Sequence, residues 1–275
     1  MPGPDSPTYA DFLNTTAQPI NTFTFSPIQA DDVARIINSF ENKSSNVSTY
    51  SVKVLKVILP LICPILKELI NRSFTESVFP KFCKVARVVP VFKSGSPSSV
   101  LNYRGISILP PFSKIIEKVV HKQLSDYLLS NNLLNPNQYG FRKNRSTTDA
   151  IVDMTQYIYD NLDCGDIVIS FFLDFAKAFD TVNHAILLQK LQWYGIQDSA
   201  LNWFNSYLSG RLQYVSLDGF NSQVHTIDRG VPQGSILGPL LFLIFINDFP
   251  NCSNFFKFTL FADDSTLTCK FGKPY

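Results

Sequence analysis

The chain is poor in the features that would assign it quickly to a class. It has no paired cysteines. Cys63, Cys83, Cys164, Cys252 and Cys269 stand far apart, with no C-x-x-C pair or zinc-type spacing among them. An odd, scattered set of this kind reads as reduced thiols rather than a disulfide framework. It has no leader-like start: "MPGPDSPTYADF" lacks the charged and apolar regions of a signal peptide. It has no long apolar run. The longest, "ILGPLLFLIFI", is too short for a bilayer and carries Gly and Pro. It has little net charge, +2 over 275 residues, which argues against an indiscriminate basic arm but leaves room for a local basic channel. Internal repeats, an interdomain linker and a nuclear-import cluster stronger than "FRKNR" are absent too. The expectation is a soluble, intracellular protein, cytoplasmic or nuclear, neither secreted nor membrane-bound.

What is present is material for a core. Hydrophobic residues make up 45% of the chain, with 24 Phe and 11 Tyr. Residues 1–27 are rich in Pro, Thr, Asn and Ser and read as irregular. In "SPIQADDVARIINSFENK", Ser26 is a candidate cap with Pro27 at the first helical position. "NKSSNVS" then reads as a loop, and Val52 to Arg72 as a helix that Pro60 and Pro64 kink or divide. "KVARVVPVF" is a strand and "PFSKIIEKVVHKQLSDYLLSNN" an amphipathic helix. After the polar, basic "GFRKNRST" comes another helix. The continuous apolar run "DIVISFFLDF" reads as a buried central strand. Two short helices ending in Gly follow, then a hairpin turning at Asp218-Gly219 and a buried helix in "GSILGPLLFLIFINDF".

The chemistry gathers around acids. In "FKFTLFADDSTLTCKF" two alternating apolar runs flank Asp263, Asp264 and Ser265, the pattern of a β-hairpin. Taken alone this is a solvated turn. Asp174, however, ends an apolar strand, where an unpaired carboxylate is costly unless it holds a metal. If the two strands are neighbours, the carboxylates converge and attract Mg²⁺, which takes one or two carboxylates plus phosphate oxygens. Two such ions clamp an in-line phosphoryl displacement. Spacing alone leaves polymerase, nuclease and phosphatase open.

The motif order narrows this. "FFLDFAKAFDTVNH", "GVPQGSILGPLLFLIFINDF" and "LFADDSTL" resemble the three central motifs of the reverse transcriptases of non-LTR (LINE-type) retrotransposons. "FPKFCKVARVVPVFKSG", "LNYRGISILPPFSKIIEKVVHKQL" and "QYGFRKNRSTTDAI" are similar to that family's fingers region, and the likeness covers residues 23–275. The resemblance implies an α+β fold of fingers and palm, with a small antiparallel palm sheet backed by helices. It implies an irregular segment 1–27, a helical N-terminal extension 28–80 and a reverse transcriptase domain 81–275.

It further implies RNA-directed DNA polymerase activity on an RNA template, a DNA primer and dNTPs, with two Mg²⁺ ions and Mn²⁺ as an alternative. Asp174 and Asp263 would be the main metal ligands, with Asp264 beside them and the backbone carbonyl of Phe175 completing one shell. Phe179 would lie beneath the incoming sugar as a steric gate, against the competing reading of an ordinary core aromatic. Gln233 would lie over the nucleotide, with Gly234 allowing close backbone approach. Lys93 and Arg104 would meet the triphosphate. Arg142, Lys143 and Arg145 would line the template path, against a merely solvated charge run. Asp180, Asn183 and His184 read as structural residues at a helix start.

Three departures qualify the likeness. Gly105 replaces the family's usual Pro after the arginine, and "NKSSNVSTYS" lacks the usual Gly and Asp of an early loop. The sequence stops soon after the DD hairpin, so the expectation is a truncated palm with the thumb missing, as in a polyprotein fragment. The competing reading is a catalytically inactive retrotransposon-derived remnant that at most binds nucleic acid or a protein partner.

Overall fold

The computed structural model describes residues 18–41 and 52–272, with Asp11 and Leu13. The loops expected in "NKSSNVS" and "NKSSNVSTYS", and most of segment 1–17, lie outside the described residues.

Helix α1 (Ala30–Ser39) begins three residues later than the Ser26–Pro27 signal suggests. The Asp32 carboxylate accepts the Gln29 N–H at 2.9 Å and so closes the first turn. Ser26 is taken by another partner, because the Gln123 side chain bonds both its N–H and its carbonyl at 2.9 Å. The expected long helix is divided as its prolines require, into α2 (Val52–Val57) and α3 (Leu59–Thr75). Strands β1 (Val85–Phe92) and β2 (Tyr103–Ile108) form an antiparallel pair, followed by α4 (Pro111–Ser130). Then come α5 (Thr147–Asp163), β3 (Ile167–Leu173), α6 (His184–Trp193) and α7 (Asp198–Leu208). Next are β4 (Arg211–Leu217), β5 (Phe220–Asn221), β6 (His225–Ile227) and α8 (Leu237–Ile246). Strands β7 (Lys257–Phe261) and β8 (Asp264–Phe271) close the described chain.

The architecture is α+β with two sheets. The first runs β2-β1-β4-β5, with β6 also on β4, and β1 is parallel to β4. Pro90 lies beyond the last β1 residue paired with β4, where no donor to that strand is needed. The second is a three-stranded antiparallel sheet in the order β3-β8-β7. Helix α5 packs against both β3 and β7. Lys257 of β7 donates to Asp153 of α5 at 3.1 Å.

The main core joins Val33 and Ile37 of α1, Leu66 and Ile70 of α3 and the apolar stripe of α4 with Trp203, Phe204 and Tyr207 of α7 and nearly all of α8. Helix α8 is buried on every side except at Pro239 and Phe245, as its unbroken apolar sequence demands. The buried Lys190 ammonium of α6 bonds the Phe245 carbonyl in the last turn of α8 and the Asp248 carboxylate just beyond it, pinning α6 to the end of α8.

Two strand expectations need correction. β3 is not a buried central strand. It sits at a sheet edge, and five of its seven side chains are exposed. Its apolar run does not report two covered faces, because β8 occupies one flank and Phe172 is 74% exposed. The alternation expected along β7 fails as well, since Phe258, Thr259 and Leu260 are all buried. The segment before α5 runs along the outer edge of β7, with Leu260 N–H donating to Asn137 O at 2.9 Å and Tyr139 N–H to Leu260 O at 2.8 Å. With α5 also packed on the sheet, that strand is covered on more sides than a half-exposed hairpin would be.

Candidate active site

The three acids come to one end of the three-stranded sheet through its register. Leu173, the last residue of β3, lies opposite Ser265, so Asp174 follows the strand at the same end of the sheet at which Asp264 begins β8. The pair Phe261 and Asp264 closes β7 on β8 and leaves Ala262 and Asp263 as the two-residue turn. Asp264 therefore belongs to the strand rather than to the turn. Asp174 and Asp264 are exposed and Asp263 is half-buried. Among the described residues no three His, Cys, Asp or Glu side chains close into a cage for a metal ion. A hard cation that keeps waters and shares its shell with phosphate oxygens needs only one or two carboxylates rather than a closed cage. Phe175 follows, its ring edge-on to Phe249 at 5.8 Å.

A brace not anticipated from sequence supports this turn. Gln138 is buried, and its side-chain oxygen accepts the Ala262 N–H at 2.9 Å and the Gly140 N–H at 2.8 Å. Its amide nitrogen donates to the Ala262 carbonyl at 3.3 Å. A Cβ at position 140 would overlap the Ala262 nitrogen and approach the Phe261 carbonyl carbon to 2.8 Å, so only glycine fits. The motif "NQYGF" carries both residues; the signal was a Gly beside an amide, legible only once its partner strand is known.

The residues assigned to the nucleotide occupy the β1–β2 hairpin and the facing turns. Arg104 lies opposite Val91, and the Lys93 N–H donates to Asn102 O at 2.8 Å. Lys93 and Arg104 are thus diagonal neighbours on one face, both exposed. Gly105 pairs with Pro90, and a Cβ there would sit 3.0 Å from Val88 Cγ1.

The Gln233 carbonyl accepts the Ser107 N–H at 2.7 Å. Gly234 has φ +122° and its backbone passes so near Ser107 that a Cβ would lie 2.5 Å from the Ser107 carbonyl oxygen. The glycine is required by β2 itself, a different reason from the close approach to a nucleotide read from sequence. Phe179 is half-buried, stacked on Phe242 of α8 at 4.7 Å and edge-on to Phe141 at 6.1 Å.

Between the first sheet and these turns lies a cavity of about 400 Å³, walled in part by Gly105, Ser107, Lys177, Asp180, Arg211 and Gln233. Burial raises the Asp180 carboxyl above its ordinary pKa, and Lys177 and Lys93 oppose that shift. Asn183 and His184 have structural roles, as expected: the Asn183 side chain accepts the Ile186 N–H at 3.1 Å, and His184 Nε2 bonds Gly230 O at 2.8 Å.

Behind the cavity stands a polar cluster that the sequence reading missed. The fully buried Glu117 accepts from Ser113 Oγ at 2.8 Å and from the Ile236 and Leu237 N–H groups, at 2.6 and 3.3 Å, where α8 begins. Burial raises its pKa against the lowering effect of these bonds and of Arg211. The same burial, with Glu117 nearby, pushes the Cys83 thiol up to about 12.

Of the basic trio, Lys143 and Arg145 are exposed, and the Arg145 guanidinium lies 5.1 Å over the Tyr139 ring. Arg142 works internally: its Nη1 donates to Asn135 O at 2.7 Å and Gln138 O at 3.3 Å.

A family model described as "Reverse transcriptase (RNA-dependent DNA polymerase)" matches residues 93–273. The chain is 31% identical over 258 residues to the probable RNA-directed DNA polymerase from transposon BS of Drosophila melanogaster, covering 90% of this chain and 27% of that protein. It is 32% identical over 181 residues to the RNA-directed DNA polymerase from mobile element jockey of the same organism, covering 66% and 20%. The Pol polyprotein from type-1 retrotransposable element R2 of Popillia japonica is 23% identical over 221 residues, covering 80% and 30%. The chain spans between a fifth and three tenths of the length of these curated relatives.

Proposed function

This chain belongs to the reverse transcriptase family, and from that premise we propose that it catalyses RNA-directed DNA synthesis, in which a primer 3′-OH attacks the α-phosphate of a dNTP and pyrophosphate leaves. In this reading the first sheet and its hairpin are the fingers and the β3-β8-β7 sheet with α5 the palm, within a domain spanning 81–275 that follows a helical extension 28–80. The observation that supports it most is the ladder register, in which Leu173, the residue before Asp174, lies opposite Ser265, the residue after Asp264, at the end of the sheet where Ala262 and Asp263 make the turn. Asp174, Asp263, Asp264 and the Phe175 carbonyl would hold two Mg²⁺ ions, whose charge would stabilise the attacking and leaving oxygens of the displacement.

The chain's own groups do the rest. Lys93 and Arg104, on one face of the β1–β2 hairpin, neutralise and orient the triphosphate, Arg by its planar fork and Lys as a point charge. Phe179, backed by Phe242, presents an edge to the sugar and crowds a 2′-OH. Gln233, held to β2 through its own carbonyl, covers the base. Lys143 and Arg145 meet template phosphates.

The test is extension of oligo(dT) on poly(rA) by the full chain with Mg²⁺ and dTTP. Extension should fall to background in Asp174→Asn and Asp263→Asn variants that melt like the wild type. Undiminished extension by Asp263→Asn would remove that residue from the site. A folded wild-type chain that binds primer–template without extending it would return the reading to a nucleic-acid-binding remnant.

A further inference from the structure

We propose that Gln138 is a positioning residue that sets the Ala262–Asp263 turn in the geometry a divalent cation requires. The inference rests on the reading of Asp174, Asp263 and Asp264 as metal ligands and assigns a task to a residue outside that set.

A two-residue turn between strands is ordinarily set by residues that accept positive φ, above all Gly, Asn and Asp. Here the first turn residue is Ala262, with φ +57°. Alanine enters that region reluctantly, because its Cβ crowds the backbone. Some external constraint must hold it there.

Gln138 supplies that constraint from 124 residues away in sequence. Its amide meets both polar groups of the one residue, accepting from Ala262 N at 2.9 Å and donating to Ala262 O at 3.3 Å. A carboxylate in its place would offer only acceptors, and an Asn would be one carbon short of the turn.

Gln138 is itself fixed from several sides. Its oxygen also accepts the Gly140 N–H at 2.8 Å, and the flanking bonds between Asn137, Tyr139 and Leu260 set the segment's register along β7. At the far end, Asn247, just past α8, accepts the Asn135 N–H at 2.7 Å. The Arg142 guanidinium ties Asn135 O to Gln138 O. Residues 135–142 thus form a strut from the end of α8 to the acidic turn. The direction of Asp263, next in chain after Ala262, is inherited from it.

Metal sites commonly depend on such outer partners, whose loss weakens binding about 10–100-fold. The experiment measures Mn²⁺ binding to the purified full chain without nucleic acid, from the EPR signal of free Mn²⁺. Gln138→Met keeps the volume and removes every hydrogen bond, and should weaken Mn²⁺ binding by at least about 10-fold. Its far-UV circular dichroism should be retained. The Mg²⁺ concentration for half-maximal extension should rise with it, while KM for primer–template stays unchanged.

A residue that merely supports folding would lower the active fraction and leave the metal affinity of the folded molecules as it was. Asp263→Asn is the companion measurement. If Asp263→Asn loses Mn²⁺ binding and Gln138→Met keeps wild-type affinity, the Gln138 assignment is overturned and the metal reading survives. If Asp263→Asn itself binds Mn²⁺ normally, both fall. Should Gln138→Met not fold, Gln138→Asn leaves a polar amide in the slot, short of the turn. It is expected to show the same loss of affinity, and wild-type affinity in that variant would equally overturn the proposal.

Discussion

Two side chains are held by what packs around them. Phe179 is stacked on Phe242 and edge-on to Phe141, so a ring proposed as the gate to the sugar is also a packing ring. Phe179→Val should therefore raise ribonucleotide incorporation relative to dNTPs and also lower stability, by about 1–3 kcal/mol for a half-buried ring. Paired dNTP and rNTP extension assays with a urea melt check both, and an unchanged preference would leave only the packing role. Glu117 is the second case. Burial raises its carboxyl pKa, and Arg211, Tyr207 and Cys83 are the titratable groups around it. Below the ordinary glutamate pKa, folded and unfolded chains both hold the proton and the residue's stabilising share is complete. As pH rises through the raised folded value, that share is lost. Glu117→Gln does not titrate, so its melting temperature relative to wild type should climb with pH across that window. A difference that stays flat with pH would contradict the assignment.

At the scale of elements, contacts between segments distant in sequence decide the geometry of the site. Gly140→Ala would drive a methyl group into the Ala262 backbone. A collision with backbone cannot be relieved by a rotamer change, so a loss of roughly 2–3 kcal/mol in chemical denaturation is expected, together with reduced extension. Lys190→Met would leave the buried Asp248 charge without its ammonium, at a cost of about 3–5 kcal/mol, and adding Asp248→Leu should recover most of it.

The elements themselves were largely legible. Pro60 divided a helix, Asn183 capped one, and the unbroken apolar run of α8 announced a buried one. Ser26 misled because its cap position was claimed by Gln123, 97 residues on. β3 misled because a run without charged residues and with a single serine looks alike in a central strand and in an edge strand. Gln138 and Glu117 stayed hidden for one reason: their worth lies in the backbone groups they meet 119 to 124 residues away, which no local pattern encodes.

For the whole molecule, a net charge of +2 means that affinity for a line of phosphates depends on where the cations stand. Lys143 and Arg145 are exposed, Arg145 lying over the Tyr139 ring, while Arg142 is tied inward. Replacing both Lys143 and Arg145 with Ala should flatten the dependence of log K on log salt by roughly 2 for primer–template binding, one for each lost phosphate contact. Arg142→Ala should lower stability first. Fluorescence titrations at several salt concentrations separate the two, and an unchanged slope in the double variant would take the pair off the template path.

The edge position of β3 has a consequence of another kind. "IVISFFL" carries no charge, no proline and no glycine, and it is rich in β-branched and aromatic side chains. Most of these face outward from a strand at the margin of its sheet. Such a segment is a template for cross-β stacking between molecules. The same seven residues that lead to Asp174 would then let the folded chain seed fibrils, and a single Phe172→Lys gatekeeper should slow thioflavin-positive growth while leaving the melting temperature nearly where it was.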